Sequence, residues 1–166
     1  MSLKRVGVTL GLFAVAAYVA DVLVRPARVA DEAQRFARSV GKPVLNVGAG
    51  TPGSSLRVAI LGPTKWGDVN CDIAADESAA CGKDEVCWCD AAKLPYPDKT
   101  FGAVIASHVL EHMADPEAAM AEWERVADRV YVVVPKWWTP HAWLHPRHCW
   151  MFWDDGSKVP LWSCKK

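Results

Sequence analysis

The 166-residue chain has no charge excess: 19 Lys and Arg balance 19 Asp and Glu. This argues against a nucleic-acid partner, which usually requires a strongly basic face. The chain contains no internal repeat, which sets solenoids and propellers aside, and no low-complexity linker that would divide it. It has six cysteines but no C-x-x-C pair, the commonest unit of a zinc or redox motif. It also lacks the low hydrophobicity and high net charge of disordered chains, because 51% of its residues are hydrophobic. What it has in excess is tryptophan, with nine residues.

Part of the apolar content is gathered at the N-terminus. Val6 to Val24 is an apolar run of 19 residues carrying one charge, Asp21. As a helix it would rise about 28 Å, near the thickness of a bilayer core. Arg25, Arg28, Arg35, Arg38 and Lys42 follow it, against Lys4 and Arg5 before it. The positive-inside rule then places the rest of the chain in the cytoplasm. The expectation is a single-pass membrane protein with an anchor over 1–28 and a cytoplasmic domain over 29–166. A signal peptide and a buried or interfacial helix are the alternatives. Gly7 and Gly11 form a G-x-x-x-G, a motif that brings membrane helices together, so a homo-oligomer or a membrane-complex partner is also considered.

The remainder alternates strands and helices, the pattern of a parallel doubly wound sheet. Strands are expected at Val44–Val47, Trp66–Ile73, Glu85–Cys89, Phe101–Ser107 and Val130–Val134. Asp31 is read as the cap of a short helix ending at Gly41, and Ser54 or Ser55 as the cap of another before Gly62-Pro63. Asp115-Pro116-Glu117 reads as N-cap, N1 proline and acidic first turn of a helix reaching Asp128. Gly48 and Gly50 follow the first strand, and glycine lets backbone N–H groups approach a ligand there. Asp72 ends the second strand, 22 residues beyond Gly50. In dinucleotide-type folds an acid at about that distance binds ribose hydroxyls. Asp68 and Asp76 are rivals for the role, and a solvated loop carboxylate is the plain alternative.

Asp90-Ala91-Ala92-Lys93-Leu94-Pro95-Tyr96-Pro97-Asp98-Lys99-Thr100-Phe101, followed by Ser107-His108-Val109-Leu110-Glu111-His112, adds a more specific signal. With Val44 to Gly50, it resembles the class I S-adenosylmethionine-dependent methyltransferases of the small-molecule type, over residues 42–140. The resemblance implies a Rossmann-like, mostly parallel sheet and S-adenosylmethionine as cofactor. It implies that Gly48 and Gly50 lie against the methionine and ribose, that Asp72 binds the ribose, and that Asp90 and Ala91 contact the adenine. It also implies that Ser107 and His108 border the methyl-donor end. Three departures stand out. Asn46 occupies the position of an orienting acid in the family, Pro52 replaces a glycine, and only 31 residues follow Pro135. The family's last antiparallel strand pair is thus shortened, rebuilt or missing.

Methyl transfer needs a base only when the acceptor must lose a proton. His108 and His112 are the candidates, since imidazole titrates near neutral pH. Lining the pocket or bonding a neighbouring loop are their plainer roles. The tail, 136–166, carries six tryptophans with His141, His145 and His148. The tryptophans would cover the sheet, form an acceptor pocket or rest at a membrane interface. Pro140 and Pro146 interrupt helical i, i+4 spacing among the histidines and Cys149, so no metal is expected. In a cytosolic domain the cysteines would stay reduced. The function expected is methyl transfer to a small or lipid-like acceptor at a membrane surface. A non-catalytic subunit of the same fold in a membrane complex is the rival.

Overall fold

Phe101–Ser107 (β4) is apolar at nearly every position and is buried along both faces, as expected of a central parallel strand. The computed structural model describes residues 15–16, 19–52, 58 and 61–161. Within them, β4 lies between Val44–Val47 (β1) and Ala127–Val133 (β5), and β1 is flanked by Val69–Asp72 (β2), then Val86–Trp88 (β3). The order is β3-β2-β1-β4-β5, and every pairing is parallel. β1 and β4 match their expected bounds. β2 and β3 are shorter than expected, and β5 begins directly after its helix.

Side-chain alternation in β4 divides the core in two. Ala103 and Ile105 meet Ala30, Ala33 and Ala37 of the helix Arg25–Ser39 (α1). Gly102 lets α1 approach: a Cβ there would lie 2.8 Å from Ala37 Cα. Val104 and Ala106 meet Ala119, Trp123 and Val126 of Pro116–Val126 (α2) on the other face. The Asp115 side chain caps α2 by accepting from the Ala118 N–H at 2.9 Å. Lys99 Nζ closes its far end, donating to the carbonyls of Glu124 and Ala127. The tail adds a short helix, Pro140–Leu144 (α3), and an antiparallel pair, Trp150–Phe152 (β6) with Lys158–Pro160 (β7). Among the described residues β6 and β7 form their own two-stranded sheet and do not extend the five-stranded one.

Four expectations need comment. Asp31 lies inside α1, which starts six residues earlier at Arg25; Pro26 in the first turn, with its φ preset for a helix, opens it. The helix expected after Ser54 falls largely outside the described residues. The cysteines expected to be reduced are paired, Cys71 with Cys89 and Cys81 with Cys87. The membrane anchor over residues 6–24 and the single-pass, cytoplasm-facing arrangement are not supported. Much of that run lies outside the described residues, and among the described ones no helix is long and apolar enough to cross a membrane. Its end, Ala20–Val24, is a π-helical turn leading into α1. There Asp21 is buried, pairs with Arg25 at 2.8 Å and accepts from the Lys136 N–H at 3.1 Å. Arg25 in turn donates to the Val134 carbonyl. The single charge of the run is therefore bonded to the tail of the domain.

Candidate functional site

Parallel strands put all their C-terminal ends on one edge, and the predicted residues gather there. Gly48 and Gly50 leave β1 with φ of +68° and +80°, the left-handed region that favours glycine. A Cβ on Gly48 would sit 2.2 Å from Val109 Cγ2, so a side chain does not fit. Asp72 ends β2 and reaches back to this loop. One carboxylate oxygen accepts from the Gly50 N–H at 2.8 Å, the other from the Ala74 N–H at 2.9 Å. Asp72 thus holds the glycine loop. Asn46, at the position of the family's orienting acid, faces elsewhere. It is buried, and its amide donates to the Thr64 carbonyl at 2.6 Å and to Asn70 Oδ1 at 3.1 Å.

Asp90 and Ala91 follow β3. The Cys89 N–H donates to the Asp72 carbonyl at 3.3 Å, and the Cys71–Cys89 disulfide crosses between the same two strand ends. Each of these cysteines immediately precedes one of the two acids. Asp90 closes a turn by accepting from the Ala92 N–H at 2.9 Å. The Ala91 carbonyl accepts from Trp123 Nε1 at 2.8 Å, which fastens this loop to α2. Arg125 continues the fastening: it pairs with Asp98 and Glu122 and donates to the carbonyls of Leu94 and Tyr96. Trp123, Arg125 and the disulfide were not anticipated as parts of the site. The placement of Cys71 and Cys89 next to the two acids was the available signal.

Ser107 and His108 end β4. His108 adopts a φ of +57°, a strained value for a residue with a Cβ, and its N–H donates to the Val133 carbonyl at 2.7 Å. Its Nδ1 lies 3.2 Å from Glu111 Oε1. Glu111 is fully buried, and burial alone would push its carboxyl up. The hydrogen bond and charge of His108, with the charge of His112, outweigh that and hold it below the ordinary value. The buried carboxylate thus braces the His108 ring from its Nδ1 side. His112 turns away from the glycine loop, with Nδ1 2.9 Å from the Arg147 carbonyl. An open cavity of about 490 Å³ starts at Gly50 and Thr51 and runs past Ala74 and Asp76 toward Val86. A smaller one, about 330 Å³, lies at the opposite edge of the sheet beside Val44 and Asp68. Of the predicted residues Gly50 lines the larger cavity, whereas Gly48, Asp72, Asp90, Ala91, Ser107 and His108 do not.

Residues 45–129 match the family described as a methyltransferase domain. The chain is also 34% identical over 119 residues to the ajmaline N-methyltransferase of Rauvolfia serpentina, a match covering 60% of this chain and 39% of that protein. The chain thus matches well under half the length of this curated relative. The five parallel strands, the glycine loop and the acids at the strand ends agree with the matched region, and the family implies a methyl donor of the S-adenosylmethionine type. On that match, the chain belongs to the methyltransferase-domain family.

Proposed function

We propose that the chain binds S-adenosylmethionine along Gly48, Gly50, Asp72, Asp90, Ala91, Ser107 and His108, and directs its methyl group to a small-molecule acceptor. The observation that carries this reading is the convergence of four strand ends, each bringing one of these groups, on a single edge. In open α/β sheets this is where ligands bind. The left-handed glycines leave room for the methionine end. Asp72 keeps lone pairs for ribose hydroxyls beyond its two backbone bonds. Asp90 and Ala91, held by Trp123, border the adenine. The cofactor, when bound, supplies an electrophilic methyl group. His108, braced by Glu111, is the residue assigned to take the acceptor's proton. His112, directed at the tail, is not assigned as a base. The relative named above is an N-methyltransferase, so small amines are the first acceptors to test. Of the two features that suggest a lipid-like acceptor, the apolar run ends in a buried ion pair, which leaves the tryptophan-rich tail as its support.

Calorimetry of the full chain with S-adenosylmethionine and its demethylated product tests the proposal. Saturable binding of both is expected, followed by methyl transfer to at least one member of an amine panel. A second reading, a non-catalytic protein of the same fold, is favoured by the commitment of Asn46 to an internal network. Absence of binding by a folded sample overturns the first reading and leaves the second.

A further inference from the structure

One cluster is not used by methyl transfer. His112, His145 and His148 each bring a ring nitrogen into a group whose atoms all lie within 4.8 Å of one another. They come from two separate parts of the chain. His112 ends the 3-10 turn after β4, whereas His145 and His148 follow α3. The His148 N–H donates to the His145 carbonyl at 3.2 Å, and this turn stacks the two rings with centroids 4.4 Å apart. His112 meets both rings edge-on, at 4.8 and 5.4 Å.

We propose that His112, His145 and His148 form a binding site for a zinc-class divalent cation that pins the tail to the turn after β4. The second nitrogen of two rings is already anchored as in metal-binding histidines. His112 Nδ1 bonds the Arg147 carbonyl at 2.9 Å, and His148 Nδ1 lies 3.2 Å from the Ala142 carbonyl. Both anchors use Nδ1. His145 Nδ1 accepts from the Arg147 N–H over a long 3.3 Å. Behind the rings lies Glu111, with Oε1 3.9 Å from His148 Nε2 and Oε2 buried without a hydrogen-bond partner among the described residues. A dication here would face a buried carboxylate that offsets its charge. Imidazole nitrogens select zinc, copper or nickel over calcium and magnesium. Zinc bonds of about 2.0–2.1 Å require closer nitrogens than the cluster shows, so binding would draw the three rings together.

The site explains how a tail that does not extend the central sheet is held. The Cys149 N–H donates to the Glu111 carbonyl at 2.6 Å, and Trp150 Nε1 donates to the Met113 carbonyl at 3.0 Å, so the tail meets this turn on both sides of the cluster. The metal reading does not depend on methyl transfer.

The test is titration of chelator-treated full-length protein with zinc, followed by calorimetry and thermal melting, and with cobalt(II), followed by its visible absorption. One equivalent of zinc is expected to bind and raise Tm, and cobalt is expected to show the bands of a four-coordinate, nitrogen-rich site. His145→Ala and His112→Ala should each weaken binding on the order of 100-fold or more, beyond the roughly 10–100-fold cost of losing an outer partner. His108→Ala should retain tight binding. Wild-type protein that binds no zinc, or cobalt that shows only six-coordinate bands, overturns the proposal without any variant. Zinc affinity unchanged in a folded His145→Ala protein also overturns it. Cofactor calorimetry on the metal-free protein keeps this outcome distinct from that of the methyltransferase reading.

Discussion

Asp72 carries more of the site than any other single side chain. Its carboxylate organises the glycine loop from the neighbouring strand, a task for which Asn46 offers no charge. Asp72→Ala therefore removes the loop anchor and, on the proposed reading, the ribose partner. Charge-assisted hydrogen bonds contribute about 1.5–3 kcal/mol each, so cofactor affinity should fall on the order of 100-fold or more by calorimetry. Unchanged affinity would move the ribose role to another acid. The position of Asp72 at a strand end was legible from the sequence, because hydrophobic period and the turn that follows are local facts. The use of Asn46 was not, since its partners Thr64 and Asn70 are reached only when β1 and β2 pair.

At the scale of elements, α2 links the core to the site. Its start was readable from Asp115-Pro116-Glu117, because capping is decided within one turn. Its function was not, because it depends on which face packs inward. Trp123 fills the core beside Val126 and also holds the Ala91 carbonyl. Trp123→Ala should cost about 3–5 kcal/mol in chemical denaturation, as for other buried aromatic truncations. Trp123→Phe keeps much of the volume but drops the N–H donor. If Ala91 borders the adenine, it should lower cofactor affinity out of proportion to its smaller loss of stability. Equal affinity in folded Trp123→Phe would confine this residue to packing.

Across the whole molecule, the tail is joined to the core through buried ionisable groups. Asp21 bonds the backbone at Lys136, and Glu111 lies between His108 and His148. Burial depresses His148 from 6.5 to about 4, and Glu111 is also held below its ordinary value. Both shifts act in one direction. A neutral buried His148 contributes stability that is fully present above the unfolded value of 6.5. That contribution is lost as pH falls from 6.5 through about 4, where the unfolded chain binds the proton more readily. At about 1.4 kcal/mol per unit the loss reaches about 3 kcal/mol. Glu111 adds to it below its ordinary value of 4.5, as its carboxylate is protonated. Denaturation of metal-free protein should show stability falling between pH 6.5 and 4, and His148→Asn should flatten that slope. An unaltered slope would place the acid sensitivity elsewhere.

The alternation of strands and helices, the bounds of β1 and β4, the glycine loop and the acids at the strand ends can all be read along the chain. These depend on hydrophobic period, turn chemistry and capping, which act over a few residues. Long-range pairing set the rest. Cys71 meets Cys89 because β2 and β3 lie side by side, and His112 meets His145 and His148 because the tail folds back on the turn after β4. The apolar N-terminal run was read as a membrane span from hydropathy, which counts residues without knowing their neighbours. Its charge, Asp21, proved to have a partner in Arg25 and in the backbone at Lys136. A buried carboxylate needs such partners to offset desolvation, and only the folded chain supplies them.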